Sequence, residues 1–298
     1  MTCASIMNIF CTRVSLSTRT CLNTFPALQA SKNYLETMER SHFSKEVLES
    51  RQKLQAMLPT ETHRIAGVTF EDRQYLVSKL VPGLPLIFER EPDNPYDANA
   101  VVIRMLDGRK LGYIPKQETS SFIHNMCLGK VRSTGQNQNN GKLGCFVDVQ
   151  TKLPPVVNLS IPEDLIGPCR ALTSHLKGEN WDEVKQNTFE RMDGKCSITG
   201  AKTRNVEARW FLQCDKRVVK LIGFVLQHDS LREILYTDQT IRDEEDICAT
   251  MAVLNGIREE DAFDLFMRQL ELSNARYHEG WRIDLSYLHE IGIDLPIM

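Results

Sequence analysis

The chain has 298 residues, 42% hydrophobic and 25% charged, with a formal net charge of −3. That balance fits a globular protein of about two domains and excludes a uniformly basic polyanion binder; no apolar run reaches the roughly 20 residues that span a bilayer. The nine cysteines include no Cys-x-x-Cys pair, which implies a reducing compartment and no disulfide framework.

Residues 1–35 are rich in Ser and Thr, carry Arg13, Arg19 and Lys32, and have no acidic residue before Glu36. This composition predicts an organelle transit peptide, chloroplast rather than mitochondrion, with the nucleus as the alternative location and an ordinary N-terminal tail as the alternative reading. Residues 36–57 space apolar side chains helically among charges, which predicts one amphipathic helix ended by Pro59 within a linker over 36–60.

From 61 to 155 the pattern is that of strands. "HRIAGVTF", "YLVSKLVPGLPLIFER", "NAVVIRM" and "KLGYIP" are short apolar runs punctuated by Gly and Pro, the signature of a small barrel. "ETSSFIHNMCLG" reads as a short helix, "STGQNQNNGKLG" as a polar hairpin tip, and "CFVDVQTKL" as the returning strand. Pro154 and Pro155 mark a boundary. Residues 156–298 are mainly helical: "WDEVKQNTFERM", "DSLREILY", "DEEDICATMAVLNG" and "REEDAFDLFMRQLELSNARY" read as helices. Between the first two, "KCSITG" through "LIGFVL" reads as two or three strands, and "WRIDLSYL" as a final strand. The fold class is therefore α+β, a small β-barrel followed by a mainly helical domain containing a short β-hairpin.

Charge is unevenly distributed. Lys195, Lys202, Arg204, Arg209, Lys216, Arg217 and Lys220 are concentrated in 26 residues that hold only Glu207 and Asp215 as acids. Such a basic stretch can meet phosphate in a net acidic protein, although a solvated hairpin face has the same composition. In the barrel, "DNPYD" stands between two strands and "GYIPK" ends the next. Tyr96 with Asp97, and Tyr113 with Lys116, supply what a nucleic-acid end needs: a ring for a base, a carboxylate for a sugar hydroxyl and a cation for phosphate. The alternative is that Tyr96 plugs the barrel mouth and Asp97 caps its own turn.

The stretch from "GVTF" through "DNPYDANAVVIRMLDGRKLGYIPK" resembles the HIRAN domain, over residues 63–153. The resemblance implies an OB-like β-barrel that, in helicase relatives, captures single-stranded DNA at a free 3′ end. It implies nucleic-acid contacts through Phe70 as a stacking ring on the first strand, with Tyr96, Asp97, Tyr113 and Lys116. Thr69 stands where those relatives carry an Arg.

Residues 160–288 are similar to HNH-type endonucleases, in the helix leading to "KCSITG", in "VEARWF", in "LIGFVLQHDSLREI" and in the closing "WRIDLSYL". The chemistry of that family is missing. A structural zinc site takes four thiolate or imidazole ligands, and here only Cys196 remains; Thr199, Gln227 and Ser230 occupy the other positions. The general-base position reads Arg209, which stays protonated and cannot take a proton from water. No zinc or other cofactor is expected. This second half is a pseudo-HNH domain with secondary phosphate contacts at Lys202, Arg204, Arg209, Lys216 and Arg217.

The sequence thus predicts a non-enzymatic binder of single-stranded DNA or DNA 3′ ends in organellar DNA repair or maintenance, with RNA possible, no membrane, and protein partners unspecified. Two alternatives stand beside it. A divergent metal-dependent nuclease needs Cys196, Cys214 and His228 to converge. A protein-interaction scaffold would use the acidic helices over 241–276.

Overall fold

The structure is a computed structural model that describes residues 44–70, 72–92, 94–237, 244–277 and 280–293. The predicted transit peptide and the start of the 36–57 helix lie outside the described residues. Helix α1 (Lys45–Met57) opens on Ser44, whose hydroxyl accepts the Val47 N–H at 3.4 Å, and stops at Leu58 before Pro59. That hydroxyl satisfies one of the donors a helix start leaves free.

Six strands follow: β1 (Glu61–Arg64), β2 (Pro85–Arg90), β3 (Val101–Met105), β4 (Lys110–Tyr113), β5 (Met126–Gln136) and β6 (Leu143–Val149). They form one antiparallel sheet in the order β1-β6-β5-β2-β3-β4. Just beyond β1, Ala66 and Tyr113 exchange two backbone hydrogen bonds, of 2.8 and 3.0 Å. The two edge strands are therefore joined, and the sheet curls into a barrel around Leu86, Phe88, Val101, Ile103, Leu111, Val131 and Val147. Gly112 permits the seam. A Cβ there would lie 2.3 Å from the Ala66 carbonyl oxygen and 2.6 Å from Ile65 Cγ2.

Some local readings are corrected. The long run 75–90 is not one strand: its first part is helix α2 (Arg73–Ser78), and the strand begins only at Pro85. The first strand ends at Arg64, so Phe70 sits in the turn after it. "ETSSFIHNMCLG" holds a 3-10 turn (Lys116–Ser121) and then the start of β5. β5 and β6 extend well into the predicted polar loop and leave only 137–142 as its tip.

The second half holds α3 (Glu163–His175), α4 (Glu179–Arg191), β7 (Val206–Gln213), β8 (Val218–Leu226), α5 (Arg232–Leu235), α6 (Glu244–Asn255), α7 (Glu259–Ala275), β9 (Arg282–Asp284) and α8 (Ser286–Glu290). Sequence reading passed over α3 because Gly167 and Pro168 interrupt it. The predicted final strand is only three residues long, pairs parallel to β8, and gives way to α8.

The two halves interlock. Arg51 of α1 is 1% exposed. It donates to the carbonyls of Leu254 (2.9 Å), Ile198 (2.5 Å) and Pro154 (2.9 Å). One guanidinium thus ties α1 to α6, to the turn after Cys196 and to the segment leaving the barrel; burial lowers its pKa to about 10 despite the opposing pull of Cys196. Arg268 of α7 reaches Glu89 of β2 at 3.2 Å. On that side of the barrel, the outward-facing Ile87 and Val102 are 0% and 1% exposed. Burial on both faces explains why β2 and β3 read as continuous apolar runs without alternation.

Candidate nucleic-acid interface

The turn over 94–97 is built on Asn94. Its Oδ1 accepts the backbone N–H of Tyr96 (3.0 Å) and of Asp97 (3.2 Å), while its Nδ2 donates to Glu91 Oε2 (2.6 Å) and to the Tyr113 hydroxyl (3.2 Å). This is an Asx turn anchored on both sides. Its product is a Tyr96 ring that is 92% exposed, so the ring does not plug the barrel. Asp97 does cap its own turn, accepting the Asn99 N–H at 2.9 Å. Its other carboxylate oxygen lies 4.0 Å from Lys116 Nζ, on a side chain that is 72% exposed. Asp97 thus caps its turn with one carboxylate oxygen and holds the other near Lys116.

Tyr113 is held rather than free. Its hydroxyl donates to Glu91 Oε2 at 2.8 Å and also meets Lys110 Nζ, whose ammonium lies 4.2 Å from the Tyr113 ring centroid. Glu91 is the node of this network. Burial opposes its charge, but hydrogen bonds from Asn94 and Tyr113, with the Lys110 and Arg104 cations, outweigh that and hold its pKa below the usual carboxylate range. The sign follows: stability from ionised Glu91 is present above the ordinary carboxylate pKa and is lost as pH falls through the lowered one. Glu91→Gln is therefore expected to destabilise the protein at pH 7, with the gap to wild type closing below about pH 4; a constant gap in melting temperature down to pH 3 would contradict this. Glu91 and Asn94 were missed by sequence reasoning, although an Asn ahead of Pro in a turn is a usable signal.

Tyr96, Asp97, Tyr113 and Lys116 are thus brought together on the network of Asn94 and Glu91. Phe70 is 65% exposed in the turn four residues after Ala66, the partner of Tyr113 at the seam. No bond links its ring to the other four among the described residues.

The basic residues of the second half do not gather at one spot. Lys202 and Arg204 precede β7, with the Arg204 guanidinium 5.5 Å from the Phe189 ring. Lys216 and Arg217 lie in the turn at the other end of the β7–β8 hairpin. Arg209 is exposed in the middle of β7, near enough to His124 of the barrel to help lower its pKa, after burial, which dominates. Trp210 is buried in the hairpin core.

The 196–199 turn lies against the 227–230 turn. Cys196 Sγ accepts the N–H groups of Thr199 (3.4 Å) and His228 (3.3 Å). Thr199 is 0% exposed and accepts the Ala201 N–H through its hydroxyl; Ser230 Oγ lies 2.7 Å from His228 Nδ1. Cys214 stands at the far end of the hairpin, 3.8 Å from Arg276. Cys196, Cys214 and His228 therefore do not converge, and among the described residues no three His, Cys, Asp or Glu side chains are grouped to hold a metal ion. Cys127, Cys169 and Cys248 are buried thiols whose pKa values burial pushes up to about 12.

The family model of the HIRAN domain matches residues 62–152. A crystal structure of a protein from Lactobacillus plantarum is similar at 22% identity, over 30% of this chain and 95% of that one, with a TM-score of 0.25. The crystal structure of the HIRAN domain of human HLTF is similar at 18% identity, over 30% of this chain and 74% of that one, with a TM-score of 0.21. No curated protein matches the chain.

Proposed function

Taking residues 62–152 as a HIRAN domain, we propose that the protein binds single-stranded DNA, preferentially at a free 3′ end, without enzymatic activity of its own. The observation that carries this is the Asn94 turn, which presents Tyr96 almost fully to solvent beside the Asp97–Lys116 pair. A solvated ring on a hydrogen-bonded turn offers a face on which a base can stack. Asp97 keeps one oxygen available for a sugar hydroxyl, and Lys116 is extended toward solvent for a phosphate. Phe70 and Tyr113 flank the strand.

The second half serves as a pseudo-HNH scaffold. Its hairpin and the segment before it offer Lys202, Arg204, Arg209, Lys216 and Arg217 as secondary phosphate contacts, spread out as a backbone track. Arg209 in the general-base position grips and does not activate water. Neither zinc nor another cofactor has a role in this reading. Organellar DNA repair or maintenance is the setting proposed, in the chloroplast, with RNA as a further ligand class.

Fluorescence anisotropy with oligonucleotides of free or phosphate-blocked 3′ end tests the reading. Tighter binding to the free end is expected, with affinity falling steeply with salt as counterions are released. Equal affinity for both ends would remove the end-reading claim, and no binding at low salt would remove nucleic acid as the ligand.

A further inference from the structure

The side of the barrel formed by β1, β6 and β5 differs from the side formed by β2 and β3, whose outward Ile87 and Val102 are buried. Phe146 of β6 is 46% exposed. It pairs across the ladder with Arg64 on β1 and with Ser133 on β5, next to a bulge at Arg132. One step along, Asp148 pairs with Thr62 and with Lys130. Asp148 is engaged by the Thr62 hydroxyl (2.7 Å) and by Arg132 (3.3 Å). A half-exposed aromatic thus stands among Arg64, Lys130 and Arg132, with one acid that is already paired. The apolar ring at the centre of a net basic sheet face fits a base between phosphates.

The register connects this face to the candidate site. Ala66 pairs with Tyr113 across the seam, and Ile65 between Ala66 and Arg64 points into the core. Tyr113, Ala66, Arg64 and Phe146 therefore follow one another on the outside of the barrel. Two pairings of about 5 Å and one step of about 6.6 Å along β1 separate the rings of the two ends by roughly 15 Å. Ala66 leaves the crossing low.

We propose that a strand held at Tyr96 and Tyr113 continues across the Ala66 seam and stacks a further base on Phe146, with Arg64, Lys130 and Arg132 on its phosphates. The occupant is single-stranded nucleic acid, and the proposal rests on the barrel being its binding domain. It makes affinity depend on strand length.

The test uses the full chain with 5′-labelled dT3 and dT10, both with a free 3′ hydroxyl. Wild type is expected to bind dT10 about tenfold more tightly than dT3, the effect of one stacked base with its phosphates. In Phe146→Ala/Arg64→Ala that ratio is expected to fall to near one. Both side chains are surface groups, and an unchanged melting curve confirms the fold. An unchanged ratio in the double variant, or no length dependence in wild type, overturns the proposal while leaving the end-reading site in place. Loss of the length effect in the double variant, with Tyr96→Ala without effect on either oligonucleotide, leaves Phe146 as a base platform but overturns a strand continuing from Tyr96, and removes the end-reading site. Absence of binding by wild type to either oligonucleotide overturns both.

Discussion

Gly112→Ala is expected to lower the melting temperature by roughly 5–10 °C, the equivalent of about 3 kcal/mol for a protein of this size. The added Cβ would lie 2.3 Å from the Ala66 carbonyl oxygen, and that atom belongs to backbone, which cannot swing aside as a long side chain can. Relief requires β1 and β4 to separate where Ala66 and Tyr113 exchange their two hydrogen bonds. The buried cluster of Ile65, Leu111 and Ile103 lies directly beneath. Gly135→Ala in β5 is the control. Nothing stands within 4 Å of a Cβ there, so its melting temperature should hold or rise slightly as the unfolded chain loses freedom. Equal melting temperatures for the two variants would mean that the seam does not close as described.

Gly112 also shows how the sequence carried part of the fold. "KLGYIP" reads as a strand because it is a short apolar run bounded by Lys110 and Pro115, and β4 occupies Lys110–Tyr113. The glycine within it weakens a strand in isolation, and only the approach of the first strand's end, far off in sequence, explains its presence. The same limit governs "YLVSKLVPGLPLIFER". Its first apolar residues suit a strand or a buried helix equally well. Packing against β4 and β6 settles Arg73–Ser78 as helix, with Gln74 donating to Leu143 O (3.0 Å) and to Val68 O (2.8 Å).

The candidate site's residues were legible in the sequence by type, and their supports were not. Tyr96, Asp97, Tyr113 and Lys116 stood out as residue types that a plain turn does not need. Glu91 and Asn94 did not, since an acid at a strand end and an Asn in a turn are ordinary, and their joint hold on Tyr113 exists only once β2 and β4 are brought together. Arg51 illustrates the opposite error. Within "LESRQKL" it reads as the charged face of an amphipathic helix, yet its three carbonyl partners, at 154, 198 and 254, lie more than a hundred residues away in chain order. A buried Arg whose donors go to backbone carbonyls has no local pattern from which to be found.

Tyr96→Ala is expected to lower affinity for single-stranded DNA at least about fivefold with no measurable change in melting temperature. The ring is 92% exposed, so its removal takes little apolar area out of the folded protein, and the Asn94 hydrogen bonds that shape the turn involve the Tyr96 backbone, which alanine keeps. Stacking of a base on an aromatic ring contributes about 1–3 kcal/mol, or roughly five- to 150-fold in affinity. Tyr96→Phe separates stacking from the hydroxyl: retained affinity assigns the effect to the ring face. Asp97→Asn complements it, because an amide oxygen still caps the Asn99 N–H while the charge facing Lys116 is removed. That variant should keep most of its affinity for a blocked oligonucleotide and lose its preference for a free 3′ hydroxyl. A Tyr96→Ala protein that binds within twofold of wild type would show that the ring meets no base, and the exposed turn would then need a different partner.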